Sequence, residues 1–178
     1  MSKKLTIVVD MLNGFTKEGP LSSNRIKSII PNIIKVLDKS QQILFVCDAH
    51  SEDDIEMEQY PIHCLKNTKE AEIISELKPY SKSENSKIIY KNTTNAFYEI
   101  NPKIWDYYDE FELVGCCTDI CVLQLSLSLK TWLNKINSNK IVSVIENAVQ
   151  TFDSPNHNGD LMHKYSLEIM SQAGIIIK

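Results

Sequence analysis

Six short apolar segments recur along the chain, and they constrain its fold more than any other feature of the sequence. Each is a few residues long and bounded by polar or turn-forming residues, and most are rich in isoleucine and valine. The segments are Leu5–Val9, Ile43–Cys47, Lys87–Tyr90, Phe111–Val114, Ile141–Ile145 and Ile175–Ile177. Continuous apolar runs without alternation are typical of strands buried on both faces, so we predict a parallel sheet.

Helical patterns lie between these segments. Apolar residues share one helical face from Ile26 to Leu37, where Pro31 should kink or restart the helix. A second pattern runs from Leu123 to Trp132, with Thr118 and Asp119 as its expected caps. Strands that alternate with helices predict right-handed crossovers and a parallel sheet covered on both faces, which is an α/β fold.

A third helix is predicted near the C-terminal end of the sequence, from about Asp160 to Ser171, and Gly174 marks its stop. We expect its inward face to consist of Leu161, Tyr165, Ile169 and Met170. His163 lies on this helix and His157 in the loop before it, and we assign structural roles to both.

Length and charge narrow the class of protein. The 178 residues predict a single domain over residues 1–178. Lys and Arg total 19 against 23 Asp and Glu, and a net charge of −4 argues against nucleic acid or an anionic membrane as the main partner. No window approaches the ~18 apolar residues of a membrane span. Five cysteines, three of them within six positions, indicate a reducing cytoplasm rather than a disulfide framework.

Reactive side chains follow the predicted strands at the points where the strands end. Asp10 follows the first strand, Asp48 and His50 the second, and Lys91 the third, while the fourth leads into Cys121. Because ligands of such folds bind outside the carboxyl ends of the strands, we expect these side chains to meet at one edge of the sheet.

Cys121 lies where a strand turns into a helix. The free N–H groups and positive dipole of a helix start lower a thiol pKa and can also receive an oxyanion, so Cys121 is a candidate nucleophile. Lys91 would stabilise its thiolate and Asp10 would shuttle its proton. The alternatives also stay open: Cys121 as a core residue, Asp10 as a turn residue and Lys91 as a solvated strand end.

A second group of residues suits a metal ion. Asp48, His50, Glu56 and His63 offer carboxylate and imidazole ligands within 16 positions, a set that suits Zn²⁺, Mn²⁺ or Fe²⁺. One alternative is a solvated acidic loop. Another is a closed structural zinc site, for which the ligands would be Cys47, His50, His63 and Cys64.

The segments that hold these residues resemble those of the isochorismatase-like cysteine hydrolases, and of nicotinamidases (pyrazinamidases) most closely. The matching segments run in the same order over nearly the whole chain: Val9–Phe15, Lys91–Phe97 and Gly115–Val122. The last contains the family's Thr-Asp-x-Cys-Val residue for residue. The resemblance implies that Asp10, Lys91 and Cys121 form the catalytic triad.

The metal segment resembles that of nicotinamidases in particular, since other members of the superfamily generally lack it. The implied ligands of one divalent ion, zinc foremost with manganese or iron as alternatives, are Asp48, His50, Glu56 and His63. Two features depart from the family pattern. Ile62 replaces a proline, and the loop before Glu56 is shorter than usual, so Glu58 could be the carboxylate ligand instead.

The resemblance also implies a fold and a reaction. The fold is a doubly wound three-layer α/β/α sandwich with a mainly parallel six-stranded sheet. The reaction is hydrolysis of nicotinamide to nicotinate and ammonia through a cysteine thioester, a step of NAD salvage. Backbone N–H groups of Cys117 and Cys121 would bind the oxyanion after a cis peptide between Cys116 and Cys117. Phe15 and Tyr60 would sandwich the substrate ring.

Two other functions remain open at the level of sequence. One is hydrolysis of a different small amide or ureide by the same triad. The other is a redox-responsive thiol or zinc-binding protein without catalytic activity. Self-association as a homo-oligomer also stays open, because an exposed patch depends on packing that the sequence does not display.

Overall fold

Six parallel strands form one sheet at the centre of the computed structural model, which describes residues 2–178. The strands are β1 (Lys4–Val9), β2 (Gln42–Asp48), β3 (Ser86–Lys91), β4 (Glu110–Cys116), β5 (Ile141–Gln150) and β6 (Ile176–Ile177). Their order across the sheet is β3-β2-β1-β4-β5-β6, so the chain winds outward in both directions from β1. The six apolar segments and the predicted α/β class are confirmed.

Within residues 2–178, seven α-helices connect the strands. They are α1 (Asn13–Thr16), α2 (Asn24–Ser28), α3 (Ile30–Leu37), α4 (Lys78–Ser81), α5 (Pro102–Tyr107), α6 (Leu123–Lys135) and α7 (Gly159–Gln172). Pro31 lies in the first turn of α3, where a proline needs no N–H partner, and the helix restarts there as predicted. None of the helices within residues 2–178 combines the length and apolar character that crossing a membrane would require.

Two apolar layers cover the two faces of the sheet. Alternate residues of β1 separate them: Ile7 and Val9 pack in the layer that contains α5, α6 and α7, whereas Val8 packs with α2 and α3. This arrangement is the predicted three-layer sandwich. Strand β3 departs from the expected burial because it is an edge strand, and Tyr90 on it is 61% exposed.

The inward face predicted for α7 is wrong for three of its four residues. Leu161, Tyr165 and Ile169 are about half exposed, and of the predicted set Met170 alone is buried. The buried residues of α7 also include Gly159 and Ser166. These residues are small, so they permit close approach, but their low hydrophobicity gives no signal in an apolar periodicity.

Candidate active site

Four side chains meet at the carboxyl edge of the sheet. Two end the strands β3 and β2, and the other two lie just after the strands β1 and β4. They are Lys91, Asp48, Asp10 and Cys121, and all four are buried. Parallel pairing places Asp48 directly opposite Lys91. The expected meeting of the strand ends is therefore present in the structure.

The ammonium of Lys91 is the centre of this group. Its Nζ lies 2.8 Å from Asp10 Oδ2, donates a hydrogen bond to Asp48 Oδ1 and lies 3.9 Å from the sulfur of Cys121. The side chain of Lys91 is completely buried, which alone would lower its pKa, but Asp10 and Asp48 hold the pKa well above its usual value. Lys91 is therefore a buried cation and not a solvated strand end.

Asp10 combines burial with close electrostatic neighbours. Its Oδ1 accepts the backbone N–H of Asp48 at 2.9 Å. Burial and the charge of Asp48 raise the pKa of Asp10 to about 6, although Lys91 and a hydrogen bond from Cys121 pull it down. A carboxylate with a raised pKa is a stronger base, so Asp10 is suited to accept a proton from a thiol near neutral pH.

Cys121 lies in one turn of π-helix, Thr118–Val122, immediately before α6. The peptide bond between Cys116 and Cys117 is cis, at the expected position. The expected lowering of the thiol pKa is wrong for this structure. Complete burial raises the pKa of Cys121 well above its ordinary value, and the opposing effect of Lys91 does not cancel it. Ionisation of the thiol therefore requires a nearby base, and Asp10 is the adjacent candidate.

Asp48, His50 and His63 form a buried group that could hold a metal ion, with ligand atoms within 4.8 Å of one another. The Nε2 atoms of both histidines lie 3.6 Å from the Asp48 carboxylate. The Nδ1 of His50 faces Asp54 at 3.3 Å, and the Nδ1 of His63 faces the carbonyl of Pro61 at 2.8 Å. Oxygen partners on Nδ1 leave Nε2 free to bind a metal, which is the usual arrangement of metal-binding histidines.

Glu56 lines the same pocket but is outside this group. Both of its carboxylate oxygens accept the backbone N–H of Thr94, at 3.0 and 3.1 Å. Glu58 is exposed and does not line the pocket. Among the described residues the structure does not bring cysteines to the two histidines, since Cys64 directs its sulfur to the carbonyl of Glu70 at 3.7 Å. This placement argues against the closed cysteine-containing zinc site.

An apolar pocket of about 50 Å³ adjoins the reactive groups. Phe15 and Tyr60, the two aromatic residues proposed from sequence, both line it. The ring centroid of His63 lies 5.6 Å from that of Phe15 and 6.3 Å from that of Tyr60. Sequence reasoning missed the polar Thr94 and three further apolar walls: Leu21, Ile120 and Phe152. Leu21 and Phe152 lie in loops without a recognisable sequence pattern, and Ile120 occupies the variable position of the Thr-Asp-x-Cys-Val segment.

The isochorismatase domain model matches residues 4–177, almost the whole chain. The chain belongs to the isochorismatase family. Two curated relatives are each 28% identical to it over 177 residues. The isochorismatase family protein PncA of Bacillus subtilis aligns over 90% of this chain and 93% of its own length, and nicotinamidase 1 of Arabidopsis thaliana over 85% and 70%.

Solved structures support the isochorismatase fold. The pyrazinamidase of Pyrococcus horikoshii in complex with zinc superposes with a TM-score of 0.78, covers 99% of this chain and 98% of its own, and is 24% identical. The yeast nicotinamidase Pnc1p superposes with a TM-score of 0.82 at 17% identity, over 98% of both chains.

Two histidines contact the turn Thr118–Val122, which carries the candidate nucleophile Cys121. Thr118 Oγ1 lies 3.0 Å from Nδ1 of His163, and Asp119 Oδ2 lies 2.7 Å from Nε2 of His157. The predicted helix-capping role of Thr118 and Asp119 is therefore wrong, because the residue before the turn is Cys117 and no side chain caps it. Both histidines contact residues of the Thr118–Val122 turn, and their structural role stays a prediction.

Proposed function

We propose that this protein is a metal-dependent nicotinamidase that hydrolyses nicotinamide to nicotinate and ammonia through a thioester on Cys121. One observation carries the proposal: Lys91 contacts Asp10, Cys121 and Asp48, and so joins a thiol–acid pair to the Asp48–His50–His63 group at one apolar pocket. The named relatives agree with this reaction class. We expect a cytoplasmic enzyme whose product feeds NAD salvage.

In the proposed mechanism Asp10 accepts the thiol proton and the sulfur of Cys121 attacks the carboxamide carbon. Lys91 stabilises the thiolate and keeps Asp10 close to it. Backbone N–H groups of Cys117 and Cys121 would donate to the oxyanion of the tetrahedral intermediate. Asp10 then returns the proton to the departing ammonia, and water hydrolyses the thioester to release the acid and restore the thiol.

The residues present fit a divalent ion. Asp48, His50 and His63 supply one carboxylate and two imidazoles, the donor types that zinc takes, and the proposed fourth ligand is Glu56. When bound, the ion would supply a ligation position for the nitrogen of the substrate ring and so help to orient it. Phe15 and Tyr60 would contact the ring from the pocket walls.

The proposal is tested by an ammonia-release assay on a panel of small amides and ureides, with metal analysis of the same sample. We expect nicotinamide to be the preferred substrate and Cys121→Ala to lose turnover while keeping the circular dichroism of the native fold. Cys116→Ala is the matched control, since it removes a buried neighbouring thiol that has no proposed role in the reaction. Activity on other amides alone, or thiol oxidation without turnover, would contradict the proposal.

The identity of the carboxylate ligand has its own test. Glu56→Ala should weaken metal binding more than Glu58→Ala, because Glu56 lines the pocket and Glu58 points to solvent. Isothermal titration of the metal-free variants with zinc measures the difference. Equal affinities in the two variants would exclude Glu56 as a ligand.

A further inference from the structure

Phe152 lies in the loop between β5 and α7 and forms one wall of the apolar pocket. Its ring is stacked on the imidazole of His157, with centroids 3.9 Å apart and planes 10° from parallel. The stack holds Phe152 by a large flat contact, so its position depends on that of His157.

His157 is fixed in turn by the nucleophile segment. Its Nε2 lies 2.7 Å from Asp119 Oδ2, and its Nδ1 lies 3.1 Å from the carbonyl oxygen of Phe152. Both ring nitrogens are thus engaged with acceptor oxygens outside the pocket. His157 is therefore not placed to take a proton from a substrate or water, and its contacts are those of a positioning residue.

Asp119 depends on the same contact. Its side chain is 3% exposed, and it stands two residues before Cys121. Its Oδ1 has no hydrogen-bond partner among residues 2–178, so the Oδ2 contact with His157 is its link to the rest of the described structure. A continuous chain of contacts therefore runs from the pocket wall to the turn that carries the nucleophile.

We propose that Phe152 is a wall that limits substrate size and that His157 positions this wall relative to Cys121 through Asp119. The cavity of about 50 Å³ is small beside the roughly 300–1,000 Å³ of pockets for drug-sized ligands. Together with the proposed function, this size favours a carboxamide on one small ring as the substrate class. The carboxamide rests on the proposed function, whereas the size limit rests on the wall.

The size limit is tested without any substrate by alkylating Cys121. Mass spectrometry measures the rates of modification by iodoacetamide and by iodoacetanilide, which adds a phenyl ring to the same reactive group. Phe152→Ala should raise the rate with iodoacetanilide relative to iodoacetamide about tenfold or more, the range expected for relief of a steric limit in an apolar pocket. Phe97→Ala is the control, because Phe97 also belongs to a stacked aromatic pair, with Trp105, but does not line the pocket. An unchanged ratio in Phe152→Ala would overturn the assignment.

Substrate kinetics separate this proposal from the proposed function. Phe152→Ala should raise kcat/KM for quinoline-3-carboxamide relative to nicotinamide, and its KM for nicotinamide should rise more than its kcat falls. If wild-type protein hydrolyses neither amide, the proposed function fails, and the alkylation ratio alone still decides whether Phe152 is the wall.

His157 is tested by two variants. His157→Ala should shift the alkylation ratio in the same direction as Phe152→Ala and should also slow alkylation by iodoacetamide, since Asp119 loses its partner. His157→Gln keeps an amide donor for Asp119 but has no ring to stack on Phe152. It should restore the iodoacetamide rate while keeping the shifted ratio. A normal rate and a normal ratio in His157→Ala, with the native circular dichroism, would overturn the positioning role.

Discussion

Lys91 carries its charge inside the protein, between two carboxylates. Asp10 and Asp48 hold the pKa of Lys91 well above its usual value. Burial alone would raise the pKa of Asp48, but the Lys91 charge and the two histidines, whose Nε2 atoms lie 3.6 Å from the carboxylate, lower it. One cation thus faces two acids. The residual negative charge is what a divalent cation beside Asp48 would complement.

Replacing Lys91 should therefore be costly. Lys91→Met leaves two buried carboxylates without their cation, and we expect a loss of about 3–5 kcal/mol in the free energy of unfolding together with loss of turnover. Urea unfolding measures the first and ammonia release the second. Lys69→Met is the control, because the exposed ion pair of Lys69 with Glu18 should contribute less than about 1 kcal/mol. Similar losses in the two variants would contradict the buried-cation interpretation.

Gly115 provides a second prediction at the level of single residues. Its φ is +114°, and a Cβ there would lie 2.1 Å from the carbonyl oxygen of Val9 in the adjacent strand. Gly115→Ala should destabilise far more than Gly174→Ala, which also has positive φ but would contact the flexible Lys130 side chain at 3.2 Å. The control should lose about 1–2 kcal/mol from backbone strain alone. Equal losses of unfolding free energy in the two variants, measured by urea unfolding, would show that position 115 does not require glycine for its close approach to β1.

For single residues, the sequence was sufficient to identify the candidate site residues but not to predict their burial and pKa. Asp10, Lys91 and Cys121 could be identified because they follow strands that must end at one edge of the sheet. The raised pKa of Cys121 could not, because it depends on complete burial and on charges from two other strands. Phe152 could not be identified either, since no local pattern links its loop to the pocket.

At the level of elements, α7 is attached to the nucleophile turn through His163 and Thr118. Burial and Arg25 lower the pKa of His163 in the folded protein, although three neighbouring acids oppose them. The unfolded chain therefore binds this proton more readily. The contribution to stability is complete above the unfolded pKa of about 6.5 and is lost as pH falls towards the folded value.

The corresponding prediction compares wild type with His163→Gln, which can still bond to Thr118 but does not titrate. The wild-type free energy of unfolding should decline relative to that of the variant as pH falls from about 7.5 to about 5, the range around an ordinary histidine pKa. Urea unfolding across that range measures the difference. A difference that does not change with pH would contradict the effect of burial on His163.

The elements also show where a periodic pattern is sufficient. The strands and the restart at Pro31 follow from local sequence, because apolar runs and a missing N–H act over a few residues. The inward face of α7 does not, because Gly159 and Ser166 lie there for their size and not for their hydrophobicity. In the sequence pattern, the apolar stripe is formed by Leu161, Tyr165 and Ile169, which are about half exposed in the structure.

For the whole molecule, metal binding should appear as stability. A ligand that binds only the folded state at a hundred times its Kd adds about 2.7 kcal/mol, so zinc should raise the Tm of metal-free protein. His63→Ala should lose most of this shift, whereas His163→Gln, outside the group, should keep it. Differential scanning calorimetry provides the comparison, and a full shift in His63→Ala would contradict the assigned site.

Removal of the metal distinguishes two roles for it. Chelation should raise the KM for nicotinamide and slow turnover while the fold and the alkylation of Cys121 persist, because the ion is proposed to orient substrate. Unfolding on chelation, with Cys47 or Cys64 becoming reactive at the same time, would instead indicate a structural zinc site.

The order of the strands in the sheet has a consequence for how the protein is made. Every proposed catalytic and metal-binding residue precedes the end of α6, whereas Phe152 and His157 belong to the segment that follows β5. A ribosome therefore delivers the reacting groups before the wall that would select their substrate. Yet β4 pairs with β5, so a nascent chain that ends at α6 presents β4 as an open edge, which is prone to aggregation. The proposed catalytic residues and the proposed selective wall are therefore synthesised separately. They fold together, because β4 completes its pairing only when β5 has been made.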